Sequence, residues 1–346
     1  MSSALRVAVV GATGAVGSTM LRMLREREFP ASEIVPFASE RSAGKEVDSG
    51  LRVRALGPDA DLEGFDLALF SAGSGTSRAW APRFVEHGAV VVDNSSCWRM
   101  ETDVPLVVAE VNPEAIEQHR GIIANPNCSA MQALVVLKPI HDAAGLERIV
   151  FSSYQSRSGT GARAVEELKE QAHAMLHDIE PPAPSIYPHR IAFNVLPQVG
   201  TFKDGDDYTT EERKVIAESR KILGLPDLRI TATCARVPVL NCHSEALNVE
   251  TRRDLGPEDC RRLLARAPGV EVVDDPASGR YPLPSEAAGR DEVFVGRIRR
   301  DESNPRTLNL WVVGDNLRKG AATNAVQIAE LLLGRQRLPA GAAVSG

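Results

Sequence analysis

The run Leu5–Val10, apolar except for Arg6, leads straight into Gly11-Ala-Thr-Gly14-Ala-Val-Gly17 and then into a helical pattern. A strand apolar at consecutive positions must be covered on both faces, which a parallel sheet flanked by helices provides. Three glycines spaced GxxGxxG between that strand and a helix allow a tight turn and a close approach of the backbone to a pyrophosphate. The helix N-terminus then stabilises the negative charge. The first residues therefore predict a doubly wound, dinucleotide-binding α/β fold.

The next hundred residues keep the same texture. Ser18–Arg27 reads as a helix with Met20, Leu21 and Leu24 on one face, and Ile34–Ala38, Leu67–Ser71 and Val90–Asp93 read as strands, with a helix at Pro82–His87. From about Arg148 the pattern changes. Ile149–Tyr154, Leu228–Val237 and Ala246–Glu250 are longer strands of mixed patterning, Ala162–Leu176 is a helix, and 177–207, rich in Pro, His and Asp, is an irregular excursion. A Gly-rich turn at Gly314–Gly320 precedes a last helix, Ala322–Leu333, which is expected to return and cover the first sheet. With 346 residues two domains are the default. The expected division is a Rossmann-type nucleotide domain from 1–127 plus 322–346, and an α+β catalytic and dimerisation domain from 128–321. The tail Pro339–Gly346 is expected to fray.

Composition excludes several classes of function. A net charge of −6 argues against nucleic-acid or anionic-membrane partners, while leaving room for a small anionic substrate held by a few clustered cations. No apolar run approaches the length of a membrane span and no leader pattern opens the chain, so the reading is cytoplasmic. Five cysteines, widely spaced and without a CxxC pair, fit neither a disulfide framework nor a zinc site. His173 and His177, four apart on a helix, lack a third ligand, and no metal is expected.

Nucleotide preference should be set after the second strand, where an Asp or Glu would bind the ribose hydroxyls of NAD. This chain has Ser39-Glu40-Arg41-Ser42 there. Ser39, Arg41 and Ser42 suit a 2′-phosphate, so NADP is expected, with Glu40 turned to solvent on an extended segment. The most informative segment is Asn125-Pro-Asn127-Cys128-Ser-Ala130. It follows an apolar strand end and precedes a helix at Met131–Lys138, so Cys128 sits near a helix N-terminus, where the backbone dipoles favour a thiolate. A nucleophilic thiolate needs an acid/base partner. Of seven histidines, His243 stands apart, because it follows the strand-like run that ends near Arg236.

The motifs GATGAVG, DNSSCWR (Asp93–Arg99), NPNCSA, SYQSRSG (Ser153–Gly159), CARVPV…HSEALN and GDNLRKGAA (Gly314–Ala322) resemble those of the bacterial branch of aspartate-semialdehyde dehydrogenase, in order and over nearly the whole chain. The resemblance implies NADPH-dependent reduction of β-aspartyl phosphate to aspartate β-semialdehyde through a thioester, in the biosynthesis of lysine (by way of diaminopimelate), threonine, methionine and isoleucine. It implies that Cys128 is the nucleophile, His243 the general acid/base and Gln155 the residue that orients the substrate. Arg236 would take the substrate carboxylate, Arg99 and Lys214 the phosphate, and Glu211 the ammonium group, with Glu212 an adjacent competitor and Asn127 a further substrate contact. The nucleotide would meet Gly11, Thr13, Gly14, Ala15, Val16, Ser39, Arg41, Ser42, Ser158, Gly159 and Asn316, and the enzyme would be a homodimer. Two departures stand out: Arg157 puts a charge beside Gln155, and Cys242, which would make the enzyme sensitive to oxidation, precedes His243. The rival readings are N-acetyl-glutamyl-phosphate reductase, another acyl-phosphate or acyl-thioester reductase, and an inactive nucleotide-binding paralogue.

Overall fold

The computed structural model describes residues 5–48 and 50–334, so the tail Pro339–Gly346 lies outside the described residues. The chain forms two compact units. One holds the residues up to Asn127 together with those from Ala321 onward, and the other is Cys128–Gly320.

In the first unit, β1 (Leu5–Val10), α1 (Ala15–Glu26), β2 (Ala31–Ala38), a small hairpin of β3 (Glu46–Val47) and β4 (Leu51–Arg52), β5 (Arg54–Ala55), β6 (Leu67–Phe70), α2 (Ser74–Glu86), β7 (Val90–Asp93) and β8 (Ile122–Ala124) follow in order. The sheet runs β5-β2-β1-β6-β7-β8, every pairing parallel, so the strand order reverses beside β1. Alternation along β1 explains its unbroken apolar run. Leu5, Val7 and Val9 join one core, and Ala8 and Val10 join the other, where Phe37, Phe65, Phe70 and Phe84 meet. The helix Thr323–Gly334 completes the first core through Ala325, Val326, Ile328, Ala329 and Leu332, as expected of a doubly wound sheet.

The second unit contains α3 (Cys128–Ala144), β9 (Leu146–Gln155), α4 (Ala162–Leu176), α5 (Thr210–Leu223), β10 (Arg229–Arg236), β11 (His243–Thr251), α6 (Pro257–Leu264), β12 (Val270–Val272), the short α7 (Pro284–Ala287), β13 (Val293–Arg300) and β14 (Thr307–Gly314). Its mixed sheet runs β10-β9-β11-β14-β13-β12. The excursion 177–207 is irregular, as expected, and α4 pins it. Glu167 accepts from the Ser185 hydroxyl and the Ser185 and Ile186 amides, and Gln171, one turn on, accepts from the Ile191 and Ala192 amides.

Several boundaries differ from the sequence reading. The first helix begins at Ala15, inside the glycine motif, because Gly14 serves as its N-cap. The helix expected from Pro82 starts eight residues earlier and carries Pro82 in its interior. The helix expected from Met131 begins at Cys128. Among the described residues no helix is long and apolar enough to cross a membrane.

Candidate active site

Strand register gathers the candidate residues of the second unit. Arg236 pairs with Gln155 across β10 and β9, and His243, at the start of β11, pairs with Gly314 of β14 and precedes the Ser244–Tyr154 pair. These three side chains therefore form a row at one end of the sheet. Against that row stands Cys128, the first residue of α3, with Sγ 3.3 Å from His243 Nε2. One turn along α3, Gln132 Nε2 donates to the Gly314 carbonyl at 3.0 Å and fastens the helix start to the sheet. Two glycines keep the row compact. A Cβ on Gly159 would lie 3.4 Å from His243 Cε1, and one on Gly320 would lie 2.9 Å from Cys128 Cβ.

His243 is fully buried, and its Nδ1 accepts the Ser156 main-chain N–H at 3.0 Å. Burial, then the nearby Arg236 cation, pushes its pKa down to about 3, so the ring is neutral at physiological pH. Behind it lies a network that sequence reasoning missed. Ser156 Oγ donates to Asn316 Oδ1 at 3.0 Å, and Asn316 Nδ2 donates to Ser158 Oγ at 2.9 Å. Asn316 and Ser158, expected at the nucleotide, thus also brace the histidine.

On the other side, Gln155 Nε2 donates to Glu211 Oε1 at 3.3 Å, and Lys214 Nζ lies 3.7 Å from Glu211 Oε2. Glu211 and Glu212 differ in their local partners. Thr209 and Glu212 form a capping box at the start of α5, where Glu212 Oε2 accepts the Thr209 amide at 2.7 Å and Oε1 accepts the Cys234 amide at 2.9 Å. Glu212 is committed to the backbone, and Glu211 faces the row. Arg236 Nη1 donates to the Ser156 carbonyl at 2.8 Å, while its buried Nε has no partner.

Two further ionisable side chains, Arg157 and Glu245, are fully buried. None of the guanidinium nitrogens of Arg157 has a hydrogen-bond partner, and the group stacks 3.4 Å above the Tyr187 ring. Burial, the largest influence on it, brings its pKa down to about 10. Glu245 lies in the row beneath His243, opposite Ser153 and Val312, with both carboxylate oxygens unpartnered. Burial raises its carboxyl well above the usual range.

The other cysteines are poor nucleophiles. Burial raises the thiols of Cys234 and Cys242, pushes Cys260 up to about 12 and also raises Cys97. Cys242, the second thiol beside His243 in the sequence, is buried. Its side chain packs into an apolar cluster with Ala287, Phe294 and Val313. His173 and His177 stack on the exposed face of α4, and no group of potential metal ligands occurs among the described residues.

In the first unit the glycine loop follows β1 at the point where the strand order reverses. Gly11 has φ of +85°, and a Cβ there would lie 2.3 Å from the Ser71 carbonyl oxygen; one on Gly17 would lie 2.1 Å from that of Gly11. Gly14 caps α1 with no side-chain bond, no acid stands in the first turn, and Thr13, Gly14 and Ala15 are exposed. Such an uncapped helix start fits the phosphates of a dinucleotide. Ser39 and Arg41 are exposed and Ser42 is half-buried. Glu40–Ser42 form a single 3₁₀ turn rather than the extended segment expected, so Glu40 is exposed because of the turn and not because of strand alternation. Arg99, also in this unit, is buried with Nε on the Asn125 carbonyl and Nη2 on the Asn94 carbonyl, and Asn127 is buried in the segment after β8.

Residues 6–119 match the family model "Semialdehyde dehydrogenase, NAD binding domain", and 137–319 match "Semialdehyde dehydrogenase, dimerisation domain". The chain is 53% identical over 333 residues to the aspartate-semialdehyde dehydrogenase of Aquifex aeolicus, covering 95% of this chain and 98% of the relative. This chain belongs to the aspartate-semialdehyde dehydrogenase family. Among solved structures of that family, aspartate semialdehyde dehydrogenase II of Vibrio cholerae complexed with ASA is 47% identical, with a TM-score of 0.93 over 96% of this chain and 99% of that one. The aspartate semialdehyde dehydrogenase of Candida albicans with NADP is 25% identical, with a TM-score of 0.74 over 96% and 99% of the two chains.

Proposed function

We propose that this chain catalyses the NADPH-dependent reductive dephosphorylation of β-aspartyl phosphate to aspartate β-semialdehyde, through a thioester on Cys128. The observation that carries the reading is Cys128 Sγ at 3.3 Å from His243 Nε2, at the first residue of a helix and beside Arg236, Gln155 and Glu211. Sγ attacks the β-carbonyl carbon and the C–S bond forms. The tetrahedral oxyanion then collapses, and phosphate leaves with the electrons of the C–O bond. When bound, NADPH would supply the hydride that reduces the thioester; the C–S bond then breaks, its electrons return to Sγ as the thiolate, and the aldehyde is released. His243 holds and moves the proton at Nε2, Gln155 orients the acyl group, and Arg236 pairs with the α-carboxylate. Glu211, freed from the capping duty that occupies Glu212, takes the α-ammonium group. An N-acetylated substrate would give Glu211 no cation, which disfavours the N-acetyl-glutamyl-phosphate reading.

Arg99 and Lys214 are proposed for the phosphate, with Asn127 a further substrate contact. The domains 1–127 plus 322–346 and 128–321 would divide nucleotide binding from catalysis and dimerisation. The loop Gly11, Thr13, Gly14, Ala15 and Val16 would hold the pyrophosphate and Ser39, Arg41 and Ser42 the 2′-phosphate, so NADP is preferred. Ser158, Gly159 and Asn316 remain candidates for the same nucleotide. The enzyme is proposed to act as a cytoplasmic homodimer in the biosynthesis of lysine, threonine, methionine and isoleucine.

The test is a spectrophotometric assay with phosphate and NADP, run on aspartate semialdehyde beside N-acetyl-glutamate semialdehyde. Turnover confined to the first substrate is expected, and turnover confined to the second overturns the reading. Arg41→Ala should raise KM for NADP by ~10- to 100-fold and leave that for NAD unchanged. Equal effects on both would remove Arg41 from 2′-phosphate recognition.

A further inference from the structure

A neutral imidazole carries its proton on one nitrogen, and the partner of the other nitrogen decides which. Here the decision is made by the backbone. The Ser156 N–H points at His243 Nδ1 from 3.0 Å, so Nδ1 presents its lone pair and the proton resides on Nε2. Nε2 is the nitrogen 3.3 Å from Cys128 Sγ. In this arrangement the resting ring donates a hydrogen bond to the sulfur and cannot accept the thiol proton there.

Proton exchange at Nε2 during turnover requires the opposite state, in which Nδ1 carries a proton and Nε2 is free to gain and lose one. A protonated Nδ1 would face the Ser156 N–H head-on unless another acceptor stood within reach. Ser156 Oγ is that acceptor. It lies 3.2 Å from Nδ1, and its own hydrogen is directed to Asn316 Oδ1 at 3.0 Å, which leaves an oxygen lone pair for the ring. Ser156 is fully buried and Asn316 nearly so, so water cannot substitute for either. Among the described residues, the other charged or titratable groups facing this ring are Cys128 from α3 and Arg236 from β10. Glu211 lies one residue further, behind Gln155, and Glu245 lies in the next row of β11.

We infer that Ser156, oriented by Asn316, is the positioning residue that sets the tautomer of His243. Its main-chain N–H keeps the resting proton on Nε2, against the sulfur, and its hydroxyl receives Nδ1–H when the ring must exchange a proton with the substrate. No bond is made or broken at Ser156 itself; the proton that moves is the one at Nε2. The inference rests on the proposed thioester chemistry for the second half of this statement, and on geometry alone for the first.

Nuclear magnetic resonance of ¹⁵N-histidine-labelled enzyme, with His243 assigned by its loss in His243→Asn, reads the resting tautomer without any substrate. A protonated Nε2 and an unprotonated Nδ1 are expected at neutral pH; a ring protonated at Nδ1 overturns the inference. Ser156→Ala should lower kcat by ~10-fold, the usual scale for one hydrogen bond to a charged group, and move the His243 limb of the pH–rate profile to lower pH. The rate at which iodoacetamide alkylates Cys128 should stay within ~2-fold of wild type, since the donor at Nε2 survives. Ser156→Thr, which keeps the hydroxyl, should restore the profile. A wild-type kcat and pH profile in Ser156→Ala overturns the switching role even if Ser156→Thr does not fold. Failure of the proposed function would look different, because the wild-type enzyme would then show no phosphorylating turnover of aspartate semialdehyde.

Discussion

Gly320 tests the geometry of the nucleophile from behind. It is buried in the π-helical turn Arg318–Ala322, and a methyl group placed on it would lie 2.9 Å from Cys128 Cβ and 3.4 Å from both Asn316 Cβ and Gln132 Nε2. Unbonded carbons settle at about 3.5–4.0 Å, so Gly320→Ala needs at least ~0.6 Å of relief. Cys128 Cβ has little freedom to supply it, because α3 is tied to Gly314 through Gln132. Overpacking of this kind costs about 1–3 kcal/mol, opposite in sign to the gain of ~0.5–1 kcal/mol that glycine-to-alanine changes in helices usually bring. Sγ, one bond further out, would be displaced from its 3.3 Å contact with His243. A misplacement of about 1 Å costs ~100-fold in rate, so kcat should fall ~10- to 100-fold. The assay is kcat for phosphorylating oxidation, together with the iodoacetamide alkylation rate and the melting temperature. Gly75→Ala, where a methyl meets nothing within 4 Å, is the control and should change none of them. Wild-type kcat and alkylation rate in Gly320→Ala would refute the packing argument.

Four further outcomes follow from buried ionisable groups. Glu212→Gln should lower stability by about 1–2 kcal/mol, because one of two main-chain amides loses its acceptor and the other keeps only a neutral one, while KM for aspartate semialdehyde stays unchanged. Glu211→Gln should do the reverse, raising KM by ~10-fold with little change in melting temperature, and matching effects in the two variants would contradict the assignment. Arg157→Met should raise the melting temperature, since it removes a guanidinium whose pKa burial lowers to about 10, offset in part by the lost stacking on Tyr187. A gain of about 1–3 kcal/mol is expected, and a loss would mean that the cation is compensated in the folded protein. Glu245 has a folded-state pKa above its unfolded one, so its contribution to stability is complete below pH ~4.5 and is lost as pH rises toward the folded value. Denaturation of Glu245→Gln across pH should therefore show a shallower decline above pH 5 than wild type, and parallel curves would show that Glu245 does not carry that dependence.

Local signals carried much of the fold. The strand, glycine turn and helix at the N-terminus, the helix Ala162–Leu176, and Cys128 at a strand–turn–helix junction could all be read because periodicity and turn chemistry act over a few residues. Pro82 misled the reading of α2, since a proline that usually opens a helix is tolerated here inside one. The Thr209–Glu212 capping box was a legible signal ahead of Val215, Ile216, Ser219 and Ile222, and it alone separates Glu212 from Glu211. Other features had no local signal. Ser156 meets Asn316 across 160 positions through the β9-β11-β14 register, and His243 meets Cys128 across 115 because α3 packs its first turn on that sheet. A buried Arg157 is equally invisible, because sequence gives an arginine every reason to be exposed.

The central claim is a covalent one, and phosphate starvation tests it most directly. Enzyme mixed with aspartate semialdehyde and NADP in the absence of phosphate should release close to one NADPH per site and then stall. Acid quenching and peptide mass spectrometry should then find an aspartyl group on the peptide that contains the Asn125–Cys128 turn, lost on adding phosphate and never formed in Cys128→Ala. A burst without an adduct, or an adduct that persists in Cys128→Ala, would contradict catalysis through a thioester at this position.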